Sequence, residues 1–213
     1  MKIYKKIKLL LRDFYRKDID LSMQSKLINK NFSIISQNCI GGILYHELNQ
    51  QFLSPTINLW MSSSDFIKFC QDLKKNLEAD LVEVKDSYKN YPVGRIDDII
   101  INFTHYDSFE EAKKKWNERR DRINYKNLFF IMVEKDGCTE KEIEDFSNLP
   151  YRHKLVLTCN KYKNIACAYY IPNSKNEKGE MIDLTLYLNK FSRKRHMDRI
   201  DFISFINGDI YAF

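Results

Sequence analysis

The chain has 213 residues, of which 44% are hydrophobic and 30% charged, so it can form one large domain with a proper core. Residues 1–17 hold seven Lys/Arg and one Asp, so they account for the whole net charge of +6, and the charges of the other residues cancel. Because the rest of the chain is neutral overall and contains no nucleic-acid-binding motif, nucleic acid is excluded as an expected partner. No window approaches the roughly 20 apolar residues of a membrane-spanning helix, and the five cysteines form no C-x-x-C pair, which predicts a reduced cytoplasmic protein without a zinc site.

Residues 1–30 are predicted to form a basic amphipathic helical segment, with a second helical stretch over residues 21–29. Apolar residues recur at helical spacing in its first half, at Ile3, Ile7, Leu10, Leu11 and Phe14. Such a helix can lie on an anionic membrane surface, here the inner face, or dock on the protein with a solvated basic face. Because the first strand begins only after residue 30, a chain starting near Asp18 is expected to fold.

Strands and helices then alternate along residues 31–213, which predicts a single domain. Strands are expected at residues 33–36, 56–60, 81–84, 96–103, 127–134, 153–159 and 166–171. Helices are expected at residues 40–50, 63–77, 108–123, 139–149 and 197–206. Capping patterns support three of the helix starts, with Ser63 or Ser64, Ser108 and Thr139 as the capping residues.

The predicted fold class is α/β, with a largely parallel, Rossmann-like sheet flanked by helices. The strands beginning near residues 33, 99, 128 and 154 are expected to share this sheet, because helix-length segments separate them. Two of these strands are apolar on both faces, as a strand between two helical layers requires.

Polar residues follow four of these strands, where the carboxyl ends of parallel strands form the usual ligand crevice. After the first strand come Asn38 and the Gly41-Gly42 pair at a helix start. They indicate either a cradle for a diphosphate or a sterically tight strand-to-helix turn.

Two groups capable of acid/base chemistry follow later strands. His105 is interpreted as a general base, a sugar-binding residue or a structural histidine. Asp136 could act as a base, bind a divalent cation together with Glu134, or lie in a solvated Asp-Gly turn, so the cofactor requirement stays open. Arg119 and Arg122 could clamp a diphosphate or belong to an ion-paired helix face.

Long segments of the chain resemble a bacterial family known as domain of unknown function 1919, whose members tend to be labelled exopolysaccharide or capsule biosynthesis proteins. The resemblance runs from about residue 31 to residue 208 and is carried by "NFSIISQNCIGGILYHELNQQFLSPTINLW", "YPVGRIDDIIINFTHYDSFEEAKKKWNERRDRINYKNLFFIMVEKDGCTE" and "LPYRHKLVLT". It implies a cytoplasmic role in making a surface glycan, and it assigns no catalytic residue.

Together, the residues and the resemblance predict a glycosyltransferase that uses a sugar nucleotide and a lipid-linked glycan acceptor. Asn38, Gly41 and Gly42 would receive the diphosphate, and His105 or Asp136 would deprotonate the acceptor hydroxyl. The alternatives are another glycan-decorating transferase, acting on an acyl or phosphoalcohol group, and a non-enzymatic assembly module.

Overall fold

The computed structural model describes residue 14 and residues 16–209. Most of the predicted basic helix of residues 1–17 therefore lies outside the described residues. Within the described part, the second predicted helical stretch is present but is shifted, because α1 covers residues 16–26.

Helices and strands alternate after α1, as predicted. The helices are α2 (Ile40–Glu47), α3 (Ser63–Gln71), α4 (Leu73–Glu78), α5 (Phe109–Arg120), α6 (Glu140–Ser147) and α7 (Phe202–Asn207). A 3₁₀ turn (His196–Arg199) precedes α7. The strands are β1 (Ser33–Ser36), β2 (Val82–Val84), β3 (Val93–Ile96), β4 (Ile99–Asn102), β5 (Leu128–Val133), β6 (His153–Thr158) and β7 (Ala168–Tyr170).

The main sheet has the order β1-β5-β6-β7, and every neighbouring pair in it is parallel. The structure thus confirms a mixed α/β fold with a parallel sheet flanked by helices. Placing the strand near residue 99 in this sheet was wrong, since β4 belongs to a separate antiparallel sheet with the order β2-β3-β4. The physical reason is the two-residue turn Asp97-Asp98, in which Asp97 has a φ of 49°, so that the chain reverses directly from β3 into β4.

The parallel sheet lies between two hydrophobic layers. Side chains of β5 alternate between them: Ile131 packs on the side of α2 and α7, and Met132 packs on the side of α3, α5 and α6. The antiparallel sheet contributes Ile99 and Ile101 to the second layer. A strand covered on both faces must be apolar throughout, which explains the continuous hydrophobic run of β5.

The outer edge of β1 is covered by the segment of residues 54–61. The Thr56 hydroxyl accepts from the Ser36 amide at 3.0 Å, and the Met61 amide donates to the Gln37 carbonyl at 3.0 Å. The predicted strand at residues 56–60 is reduced to a single antiparallel bridge between Trp60 and Asn102. The segment therefore joins the two sheets, and it carries its side chains to the carboxyl end of β1.

Helix starts mostly follow the predicted capping residues. Ser108 and Thr139 cap α5 and α6, and Thr139 forms the complete capping box with Glu142. For α3 the cap is Ser62, one residue before the predicted pair. The single helix predicted at residues 197–206 is split, because the Asp201 side chain accepts from the Ser204 amide and starts α7 anew.

Candidate functional site

A cavity of about 690 Å³ opens at the carboxyl ends of β1 and β5. Its polar and aromatic lining includes Asn38, Trp60, His105, Lys135, Asp136 and Asp183. Three of the four strand ends expected to form a ligand crevice, those of β1, β4 and β5, therefore border a common space, whereas the end of β6 does not.

Five different parts of the chain supply this lining, and one of them is the segment of residues 54–61, which carries Trp60. Asn38 follows β1, and Lys135 and Asp136 follow β5. His105 follows β4, so it reaches the cavity from the antiparallel sheet and not from the parallel one. Asp183 comes from the loop after β7. Asn38, His105 and Asp136 are thus brought together as predicted, although the predicted path to His105 was wrong.

Asp136 lies in a tight turn that holds its carboxylate in solvent. Its φ is 54°, and the following Gly137 has a φ of 81°. The side chains of Asp136 and His105 are exposed, and within the described residues neither makes a hydrogen bond or ion pair. Both groups are therefore available to a bound molecule.

Neither glycine of the pair at the start of α2 lines the cavity: Gly41 packs against β1, and Gly42 packs against the segment of residues 54–61. A Cβ on Gly41 would lie 2.8 Å from the Ser36 Cβ, and one on Gly42 would lie 3.3 Å from the Ile57 Cγ2. The Gly41 amide donates to the Ser36 hydroxyl at 3.3 Å. This geometry favours the tight turn over the phosphate cradle, because Gly41 allows α2 to approach β1 closely and Gly42 allows it to approach the segment of residues 54–61.

Asn38 is engaged at the same helix start. Its side-chain oxygen accepts from the Ile40 amide at 3.1 Å, and the residue also lines the cavity. Asn38 thus occupies one of the first amides of α2 and can still donate a hydrogen bond to a ligand.

The two arginines expected to clamp a diphosphate lie elsewhere. Arg119 is buried, donates to the Tyr106 hydroxyl at 2.6 Å and lies 5.0 Å above the Phe52 ring centroid. Tyr106 in turn donates to the Ile57 carbonyl at 3.1 Å. Arg122 is exposed just beyond α5. Neither arginine lines the cavity, so the geometry gives their predicted nucleotide contact no support.

Glu134 has a positioning role that the sequence did not suggest. This carboxylate is only 6% exposed and accepts from the Cys159 amide at 2.7 Å, the Asn160 amide at 3.0 Å and the Tyr162 hydroxyl at 2.6 Å. Burial alone would raise the pKa of Glu134, but the hydrogen bonds from Tyr162 and Asn160 outweigh it and hold that pKa below its usual value. Glu134 therefore anchors the loop after β6 and is not paired with Asp136 as a metal ligand.

A second cavity, of about 600 Å³, lies at the carboxyl ends of β6 and β7. Its lining includes Lys161, whose ammonium lies 5.2 Å from the Tyr170 ring centroid, and Lys175, which donates to the Asn160 side-chain oxygen at 2.6 Å. The carboxyl edge of the sheet is thus basic beyond the first cavity.

Cys39 also lines the first cavity, and its environment disfavours nucleophilic chemistry. Burial, followed by the charge of Asp183, raises the pKa of this thiol, so it stays protonated near neutral pH. All five cysteines of the chain are free. Among the described residues, no group of three His, Cys, Asp or Glu side chains could hold a metal ion.

None of the helices described is long and apolar enough to cross a membrane. Two comparisons with known proteins match almost the whole chain. The model of a family described as a domain of unknown function (DUF1919) matches residues 10–207. A protein of Haemophilus influenzae named "Uncharacterized protein" is 35% identical over 209 residues, which cover 97% of this chain and 99% of that protein.

Proposed function

The chain belongs to the DUF1919 family, and from this premise we propose that it is a glycosyltransferase of surface polysaccharide (exopolysaccharide or capsule) synthesis. It transfers a sugar from a sugar nucleotide to a lipid-linked acceptor, in the cytoplasm and at the inner face of the membrane. In this proposal the fold is Rossmann-like, and the sugar nucleotide binds at the carboxyl ends of the parallel strands.

The convergence of His105, Lys135 and Asp136 on one cavity carries the proposal. A cation beside two exposed groups capable of accepting a proton suits a reaction with an anionic leaving group and a hydroxyl nucleophile. The cavity volume of about 690 Å³ is of the size that small-molecule sites have.

In the proposed reaction, the acceptor hydroxyl oxygen bonds to the anomeric carbon of the donor sugar. The bond from that carbon to the diphosphate oxygen breaks, and its electron pair leaves with the nucleoside diphosphate. His105 or Asp136 takes the hydroxyl proton, and the Lys135 ammonium stabilises the charge that develops on the diphosphate. The half-buried Trp60 ring offers an apolar face for the sugar or the base.

Donor binding tests the first half of the proposal. We expect a sugar nucleotide to raise the melting temperature of the protein, and Lys135→Met to weaken this binding by about tenfold through loss of a charged hydrogen bond. Lys163→Met is the matched control, because Lys163 is exposed and does not line the cavity. A panel of sugar nucleotides, with and without Mg²⁺ or Mn²⁺, that never shifts the melting temperature would contradict the proposal.

Donor turnover tests the second half. The release of nucleoside diphosphate, with acceptor or with water, should fall about 10²- to 10⁴-fold in whichever of His105→Ala and Asp136→Asn removes the base. Donor affinity should change little in that variant, because the base acts on the acceptor. Asp80→Asn, an exposed carboxylate outside the cavity, should behave as the parent protein. Full turnover in both site variants would eliminate both candidate bases.

A further inference from the structure

An exposed hairpin extends from the wall of the first cavity. Residues 186–195 follow Thr185, which lines the cavity, and the hairpin is closed by an antiparallel bridge between Tyr187 and Arg195. The Leu188 amide donates to the Lys194 carbonyl at 2.9 Å. We refer to residues 186–195 as the basic hairpin.

Side-chain hydrogen bonds define the conformation of the hairpin tip. The Asn189 side-chain oxygen accepts from the Phe191 amide at 2.9 Å and from the Ser192 amide at 2.9 Å. The Ser192 hydroxyl accepts from the Lys194 amide at 3.0 Å. The outward position of the side chains at the tip is therefore set by a specific turn.

The tip combines a large apolar side chain with positive charge. Phe191 is 90% exposed, a large exposure for an aromatic side chain. The basic hairpin contains four Lys/Arg and no acidic residue, and Lys190, Arg193 and Lys194 are all exposed. An apolar side chain surrounded by cations is typical of segments that lie in the interface of an anionic membrane.

The hairpin is fixed to the rest of the protein at its base. Arg16 of α1 donates to the Arg193 carbonyl at 3.1 Å, and the Arg195 guanidinium donates to the Thr185 carbonyl at 2.6 Å. A membrane that held the tip would therefore hold the neighbouring cavity at a set distance from its surface.

We propose that the basic hairpin docks the protein on an anionic lipid surface, with Phe191 inserted among the lipids and its lysines and arginine on the headgroups. A lipid surface fits better than a protein partner, because one turn offers far less than the roughly 800 Å² per partner that a stable protein interface needs. The inference does not depend on the proposed reaction, since vesicle binding is measured without a sugar nucleotide.

Sedimentation of the full chain with vesicles tests the proposal. We expect binding to vesicles of phosphatidylglycerol and phosphatidylcholine, little binding to phosphatidylcholine alone, and release as salt rises. Phe191→Ser should lower the partition coefficient about tenfold, and Lys194→Gln about fivefold. The basic residues 1–17 are present in every variant, so differences between variants report on the hairpin.

Matched substitutions distinguish insertion of Phe191 from nonspecific adsorption of the protein to vesicles. Tyr88 is 98% exposed and lies outside the hairpin, so Tyr88→Ser should leave vesicle binding unchanged. Phe191→Trp should bind as the parent does and show a blue shift in fluorescence on vesicles, whereas Tyr88→Trp should show none. Equal losses in Phe191→Ser and Tyr88→Ser, no loss in either, or equal binding to neutral vesicles would overturn the proposal. Binding to soluble polyanions that matches vesicle binding and ignores Phe191→Ser would also overturn it, since charge alone would then be responsible.

Discussion

At the scale of single residues, Glu134 and Asp136 show how two acids in one short loop acquire different roles. Glu134 is buried and accepts hydrogen bonds from the loop after β6, whereas Asp136 is exposed at a positive φ beside the cavity. The difference arises because Glu134 directly follows the buried end of β5, while Asp136 lies in the turn that leaves it. Only Asp136 is therefore available to a substrate.

We expect Glu134→Gln to lower the free energy of unfolding by about 2 kcal/mol, because an amide nitrogen would face groups that donate to the carboxylate. The pKa of Glu134 is lowered in the folded state, so its contribution is present above the unfolded pKa, near 4.5, and is lost as pH falls through the folded value. Urea unfolding at neutral pH and below about pH 4 measures both effects.

The parent should lose more stability on acidification than Glu134→Gln does. Glu144→Gln, on the exposed face of α6, should follow the parent; an equal response of all three proteins would contradict this role of Glu134.

At the scale of elements, the contact of α2 with β1 depends on Gly41. The helix lies so close to the strand that the Ser36 side chain occupies the space that a Cβ would need. The same closeness sets the direction in which α2 leaves the cavity, whose wall includes Ile40 and Ile43 of this helix.

We expect Gly41→Ala to destabilise the protein by about 1–3 kcal/mol, because overpacking forces the helix away from the strand. Gly42→Ala should cost less, since its nearest neighbour would be at 3.3 Å and alanine favours the helix. Chemical denaturation measures both. If the pair is only a turn, the stabilisation given by a sugar nucleotide should be unchanged in Gly42→Ala. If Gly42→Ala loses that ligand-dependent stabilisation while the free protein keeps its normal stability, the interpretation of the pair as a phosphate cradle would be correct instead.

At the scale of the whole molecule, a buried ionic network joins α1, α2 and the 3₁₀ turn, which are far apart in the chain. Arg16 of α1 is 4% exposed and bonds Glu47 of α2 at 2.6 Å and Asp198 of the 3₁₀ turn at 2.8 Å. Although burial alone would lower the pKa of Arg16, the bonds to Asp198 and Glu47 raise it. The described part of the N-terminal segment is thus packed on the domain.

We expect Arg16→Met to cost about 3 kcal/mol, because it removes the partner shared by the buried Glu47 and the partly buried Asp198, of which Glu47 keeps, among the described residues, only Arg195 at 3.2 Å. Lys17→Met, at the exposed neighbouring position, should change stability by less than about 0.5 kcal/mol. A chain that begins at Asp18 lacks Arg16 and should show a similar loss, although the sheet begins only after residue 30. Thermal or urea unfolding of these variants and of the parent measures the differences. Equal stability of Arg16→Met and the parent would show that the network contributes nothing to the free energy of unfolding.

The sequence by itself determined the elements that rest on local patterns. A continuous apolar run identified β5, shorter apolar runs identified β1 and β6, and hydroxyl residues followed by glutamate located the starts of α5 and α6. These signals are local because burial of a strand and capping of a helix depend on residues a few positions apart. Once the parallel order was inferred, the polar residues after the strands identified Asn38 and Asp136 as neighbours of one cavity, whereas His105 reaches that cavity from the antiparallel sheet.

Only the tertiary structure decided which residues distant in the chain meet. The Asp97-Asp98 turn placed β4 in a separate sheet, although its apolar run resembles that of a parallel strand. Glu134, predicted as a candidate metal ligand, instead anchors the loop after β6, because its hydrogen-bond partners lie 25 and 28 positions away. Arg119 likewise donates its hydrogen bond to the Tyr106 hydroxyl and does not face a ligand site. In each case the free energy of a polar group depends on the partners available at its buried position, and those partners are fixed by the packing of the whole chain.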